Sequence, residues 1–170
     1  MATVTPNYAA KVALTISLAS LGDDNTNQLA GRESNEVDNT SNKYVDCIVQ
    51  GVIMVGTSPT ASRNIWVYVW GSDTSAATTN LDVIDGVDSA ETITNAGVRN
   101  TLFRLGAVID VSATTSNVGY YFAPFSVAQL FGGVMPKFWG VFVVNGSGVA
   151  LNATGANHVL NYTGVKYDVA

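Results

Sequence analysis

An acyl-transfer triad needs a histidine as its base, and this chain has one, His158, in Gly155-Ala-Asn-His-Val159. It stands at the start of an expected strand, outside any motif, and reads as a surface or capping side chain. Cys47 is the one thiol. It has no second cysteine with which to form an intrachain disulfide, and no histidine or cluster of bases near it in sequence to activate it. It shares an alternating face with Val45, Val49, Ile53 and Val55, which makes it a small core hydrophobe. A lone histidine and a lone cysteine far apart in the chain make no zinc site. Oxygen ligands are the better metal question. Asp82-Val-Ile-Asp-Gly-Val-Asp88, followed by Glu91, puts four carboxylates within ten residues. Calcium takes several oxygens from a flexible loop, but the spacing lacks the every-second-position ligands of an EF-hand. Asp82, Asp85, Asp88 and Glu91 are therefore read as a solvated acidic loop, with calcium as the weaker alternative. Asp23-Asp24 is weaker still. A glycosidase pair of carboxylates could draw on Asp46, on the outer face of its strand, but most of the 13 acids fall in loops. The residues assign no catalytic site, no cofactor and no metal, and the chain is expected to be non-enzymatic.

The strongest patterns are apolar. Arg63-Asn-Ile-Trp-Val-Tyr-Val-Trp-Gly71 and Lys137-Phe-Trp-Gly-Val-Phe-Val-Val-Asn145 are apolar on both faces. Successive side chains of a strand point to opposite sides of a sheet. Ile65, Val67 and Val69 thus oppose Trp66, Tyr68 and Trp70, and Phe138, Phe142 and Val144 oppose Trp139, Val141 and Val143. A half-exposed strand alternates apolar with polar; these do not, so something covers their second face. That cover is another layer of this chain or another copy of it. Trp66, Tyr68, Trp70, Phe138, Trp139 and Phe142 are therefore interface candidates, with a dimer or trimer as the expected state. The strip Trp66, Tyr68, Trp70 also has the form of a platform for stacking sugar rings, although burial is favoured over that use.

Composition narrows the function classes. A chain of 170 residues is long enough for one domain with a sizeable core. Charged residues make up 12%, about half of the roughly 25% of an average soluble domain. Such a surface relies on Asn, Thr, Ser and Gly, as proteins of large assemblies and extracellular proteins do. The net charge is -5 and the eight Lys and Arg are scattered, so there is no basic stripe for nucleic acid. No apolar run approaches a membrane span. Met1-Ala-Thr-Val-Thr-Pro-Asn7 lacks the regions of a signal peptide, so synthesis in a cytoplasm is expected. The sequons at Asn39, Asn145, Asn152 and Asn161 are then composition, not glycosylation sites.

The elements that would position these residues are nearly all strands. Ala10 to Leu18 alternates, with Ala10, Val12, Leu14, Ile16 and Leu18 facing a core. Strands are expected over about 44–55, 64–70 and 101–111, the last with Phe103, Leu105, Ala107, Ile109 and Val111 inward. A short strand or extended loop follows at 116–121. Phe125 to Phe131 is the one expected helix, stopped by Gly132-Gly133. The strand 137–144 runs into Asn145-Gly146, a hairpin signal. A short segment at 149–151 precedes a last strand at 159–169, with Val165, Tyr167 and Val169 inward. Polar stretches at about 21–42 and 71–98 are expected as long connections. The whole is expected to be a single all-β domain over 1–170, an antiparallel two-sheet sandwich of jelly-roll type.

Two groups of segments carry a resemblance. The first is Glu36-Val-Asp-Asn-Thr-Ser-Asn-Lys-Tyr-Val-Asp46, Val55-Gly-Thr-Ser-Pro-Thr60 and Ile65-Trp-Val-Tyr-Val-Trp-Gly-Ser72. The second is Phe122-Ala-Pro-Phe-Ser-Val-Ala-Gln-Leu-Phe-Gly-Gly133 and Pro136-Lys-Phe-Trp-Gly140. Together, from about residue 33 onward, the chain resembles small β-rich structural proteins encoded in the virion gene clusters of tailed bacteriophages. The resemblance is one of texture and short motifs and brings no catalytic residues. It implies a decoration or cement protein on the capsid surface, bound to the major capsid protein. A tail-associated or receptor-binding module and a carbohydrate-binding module are the alternatives.

Overall fold

A computed structural model of the chain describes residues 3–79 and 81–169. Its strands are β1 (Val4–Tyr8), β2 (Val12–Ala13), β3 (Ala30–Glu33), β4 (Val37–Asp38), β5 (Asp46–Met54), β6 (Arg63–Ser72), β7 (Ala90–Thr92), β8 (Arg104–Val111), β9 (Gly119–Ser126), β10 (Phe138–Gly146) and β11 (Val159–Val169). Two helices interrupt them, α1 (Ala96–Leu102) and α2 (Val127–Leu130). The first sheet runs β1-β11-β5-β9, with β2 also on β11; the second runs β7-β3-β10-β6-β8, with β4 also on β10. All these pairings are antiparallel.

Counting β1 with β2, and β3 with β4, as interrupted single strands leaves eight principal strands apart from β7. First then pairs with last, second with seventh, third with sixth and fourth with fifth. This is one long antiparallel hairpin rolled over on itself, the jelly roll expected from the sequence. The inner faces of the two sheets enclose the main core. Ile65, Val67, Val69, Trp139, Val141 and Val143 come from the second sheet, and Cys47, Val49, Ile53, Leu160 and Tyr162 from the first. The assigned faces of both doubly apolar strands are those observed.

The second face of those strands is covered by the chain itself. Trp66, Tyr68, Trp70, Phe142 and Val144 pack under Ala76, Ile84, Ile93 and Phe103, in a separate apolar cluster. The cover is the connection from residue 73 to residue 103, which includes a 3-10 turn, β7 and α1. Bulky rings fit there because the neighbouring strands have no side chain where the rings lie. A Cβ on Gly140 would come within 2.6 Å of the Trp70 indole, and one on Gly146 within 2.5 Å of that of Trp66. Strand glycines often mark such close approaches.

Several expectations need correction. The stretch 21–42 is not one loop: Ala30–Glu33 and Val37–Asp38 pair with β10, although their sequence is too polar to announce a strand. The stretch 71–98 holds β7 and the start of α1, so the described residues contain two short α-helices rather than one. At the start of the chain, β1 and β2 replace a single strand over 10–18, and only Leu14 and Leu18 of that run are fully buried. Leu105 faces away from the main core. The register of β6 with β8 shifts between Val67 and Tyr68, opposite Ala107 and Leu105, and the bulge at Gly106 reverses the alternation. Asn145 and Gly146 continue β10 opposite Ile65 and Asn64; the turn comes later, at Gly148, whose φ is +85°. Tyr167 is exposed, because in β11 the inward positions are the even ones, Leu160 and Tyr162. The Val169 side chain lies outside the described residues. Gly132 and Gly133, at φ +73° and +89°, end α2 as expected.

Candidate interaction surface

The two sheets differ in what lies outside them. The second is covered over β6 and β10 by the 73–103 connection, with Leu105 and Val108 of β8 left about half-exposed at its edge; the first is open. Register places Pro6 and Tyr8 of β1 beside Tyr167 and Val165 of β11. It places Val159, Asn161 and Thr163 beside Val52, Gln50 and Ile48 of β5. Tyr121 of β9 lies beside Val52. Paired residues share a face, so these side chains form one continuous outer surface. Its apolar members stand well out of the fold: Tyr121 is 81% exposed, Tyr8 66%, Tyr167 60% and Val159 41%.

Two concavities mark this surface. One, of about 270 Å³, lies among Gln50, Val52, Tyr121, Val159 and Asn161. The other, of about 650 Å³, lies among Tyr8, Val45, Ile48, Val165 and Tyr167. The carboxylate on this side, Asp46, is engaged locally: it accepts the backbone N–H of Ala128 at 2.9 Å, at the start of α2, and that of Cys47 at 2.7 Å. The surface is thus mainly apolar and amide in character. Its four strands, with β5 nine residues long, span roughly 30 Å by 20 Å, or about 600 Å².

The interface candidates read from the sequence lie elsewhere. Trp66, Tyr68, Trp70 and Phe142 are buried under the cover, and Trp139 faces the main core. The Trp139 ring there meets Tyr162 edge-on, 5.4 Å between centroids. Phe138 is half-buried at the start of β10. None of the fully buried five can be a free platform for a partner or a sugar. The acidic loop is likewise divided among separate tasks. Asp82 accepts the N–H and the hydroxyl of Thr94 at 2.9 and 2.5 Å. Asp85 accepts the N–H of Val87 at 2.9 Å. Asp88 accepts Arg32 Nε at 2.6 Å and the Ser17 N–H at 3.0 Å. Glu91 accepts the Ser89 hydroxyl at 2.8 Å. The structure does not bring the four to one point.

The one histidine and the one cysteine are both engaged within the fold. His158 Nδ1 accepts the Met54 N–H at 3.3 Å, and Nε2 lies 2.9 Å from the Asn152 carbonyl, to which it donates. This ties the turn before β11 to the end of β5. Cys47 is fully buried, and burial, helped by the Asp46 charge, pushes its thiol up to about 12. Among the described residues, no helix is long and apolar enough to cross a membrane.

Tyr8, Tyr121, Tyr167 and Val159 were the surface residues that sequence reasoning missed. The available signal was phase: Leu160 and Tyr162 claim one face of β11, which leaves Val159, Val165 and Tyr167 for the other. No protein-family model matches this chain, and no curated protein or solved structure is significantly similar to it.

Proposed function

We propose that the protein is a non-enzymatic structural component of a bacteriophage virion, a decoration or cement protein that docks on the major capsid protein through the open face of its first sheet. The observation that carries this reading is the asymmetry of the sandwich. One outer face is covered over its central strands by a connection of the chain's own, which leaves only Leu105 and Val108 of β8 half-exposed among its described large apolar side chains, while the other displays Tyr8, Tyr121, Tyr167 and Val159. The sequence resemblance to virion structural proteins supplies the setting. The expected dimer or trimer loses its original support, since the chain covers its own doubly apolar strands; self-association now rests on the same open face.

Magnitude favours a repeated contact. A face of about 600 Å² is below the roughly 800 Å² per partner of a standard stable interface. In this reading retention comes from many copies on a regular shell, whatever the affinity of one site. With 12% charged residues, few ion pairs are available for salt to screen.

The test is to add purified protein to capsids that lack it and measure occupancy by cryo-electron microscopy across a salt series. Regular density kept at high salt is expected, and it should vanish in the double variant Tyr121→Asp/Tyr167→Asp, with the melting temperature little changed. Occupancy indifferent to that variant would exclude this face. No density on the shell, with saturable binding to a glycan array, would move the assignment to carbohydrate recognition.

A further inference from the structure

Glu33 lies under the cover of the second sheet, opposite Phe142 on β10, and is fully buried. Its Oε1 accepts the N–H of Val87 at 3.0 Å and, at a longer 3.4 Å, that of Asp85. Its Oε2 is buried with no hydrogen-bond donor among the described residues. The Asp85 carboxylate, itself bonded to the Val87 N–H, lies close enough to act on Glu33 by hydrogen bond and by charge. An ionised carboxylate in this position would be desolvated, half-satisfied and next to a like charge, three costs in the same direction. A neutral carboxylic acid would instead carry a proton that the neighbouring Asp85 carboxylate can accept.

We propose that Glu33 is a proton-operated latch: as the neutral acid it holds the Asp85–Val87 turn, and with it the cover, down on the aromatic face, and its ionisation loosens that cover. The surrounding charges offer the anion no relief. Arg32, on the same strand, is committed to Asp88 at 2.6 Å. Glu36 accepts the Ala76 N–H at 2.6 Å and donates its own N–H to the Gly86 carbonyl. Glu91 of β7 is bonded to Ser89, and β10 presents uncharged Phe142. Burial first, and Asp85 second, push the Glu33 carboxyl from 4.5 to about 8.

The direction of the effect follows. The closed state binds the proton more tightly than the solvated, open state. Opening is therefore suppressed below about pH 4.5, rises by up to roughly tenfold per pH unit between about 4.5 and 8, and levels off above 8. Opening would uncover Trp66, Tyr68, Trp70 and Phe142 as a second apolar surface.

Hydrogen exchange of residues 81–93, compared between the wild type and Glu33→Gln at each pH from 5 to 9, tests this. The glutamine keeps the shape and a donor toward Asp85 but cannot ionise, and the comparison cancels the intrinsic pH dependence of exchange. Exchange in this segment should exceed the variant's by only a few-fold near pH 5 and by roughly a thousandfold near pH 8. Asp85→Asn, at an exposed position, provides a second test if Glu33→Gln does not fold. Removing the like charge should lower the pH at which exchange of this segment, divided by its intrinsic rate, levels off relative to the wild type. Equal pH profiles in wild type and Glu33→Gln, or an unmoved profile in Asp85→Asn, would overturn the latch. Protection restored at pH 8 by calcium in the wild type, and not in Glu33→Gln, would also overturn it, because the site would then hold a cation in place of a proton.

Discussion

Gly140 leaves the space in which the Trp70 indole lies, with a would-be Cβ only 2.6 Å from the ring. Trp70 is itself fully buried, so the ring has no free side to move toward. Gly140→Ala is expected to cost about 1–3 kcal/mol through overpacking. Gly155→Ala, where a Cβ meets nothing within 4 Å, is the matched control and should stay within about 0.5 kcal/mol. Urea unfolding of both checks this. Cys47 gives a second expectation at this scale. Buried, and with its thiol pushed up to about 12, it should resist a thiol reagent in the folded protein and react only after denaturation. Fast labelling of the native state would contradict the strand register, since a slip of one residue exchanges the two faces. The Cys47 environment was legible in the sequence because its neighbours alternate cleanly. The partner of Gly140 was not, because Trp70 is distant in the chain and meets it only through β6–β10 pairing.

At the scale of elements, α1 shows how a local rule is outvoted. Gly97 and the β-branched Val98 and Thr101 are poor helix formers, and the stretch carries few apolar residues. The helix nevertheless forms, with Asn95 as its cap accepting the Val98 N–H at 3.0 Å, and Arg99 reaching back to the carbonyls of Asn27 and Gln28 at 3.1 and 3.3 Å. Because α1 has no fully buried residue, the cap is a large share of what holds it. Asn95→Ala is expected to cost about 1 kcal/mol, seen mainly as faster hydrogen exchange over residues 96–102 and less in global unfolding. β8 shows the converse case. Its alternation was read from sequence as unbroken, and the bulge at Gly106 reverses it, which turns Leu105 outward. A glycine within a strand pattern was the available warning.

For the molecule as a whole, buried and bonded carboxylates set opposing pH dependences. Burial works to raise Asp88, but the Arg32 guanidinium and the Ser17 donors outweigh it and hold it below the usual range; Asp24 is lowered in the same way, its burial outweighed by the N–H groups of Ala30, Asn27 and Leu29. Their stabilisation is present above about pH 4 and lost as pH falls further. Glu33 acts the other way: its contribution is full below 4.5 and is lost as pH rises toward about 8. The melting temperature should therefore peak near pH 4.5–5 and be several degrees lower at pH 8.5. In Glu33→Gln the alkaline decline should disappear while the acid limb remains. A scanning-calorimetry series over pH 3–9 decides both.

The sequence by itself determined the all-β class, the two-sheet sandwich, both faces of β6 and β10, the placement of Cys47 and the glycine stop of α2. These follow from alternation and turn chemistry, which act between near neighbours in the chain. Only the tertiary structure decided what covers the second apolar face. Trp66, Tyr68 and Trp70 have the same pattern whether a partner, a sugar or a connection of the chain lies on them. The choice depends on Ile84, Ile93 and Phe103 returning across β6, β10 and β3, which no local spacing encodes. The same holds for Glu33. As a sequence letter it is a surface acid, and its burial follows from the cover that closes over Phe142 beside it.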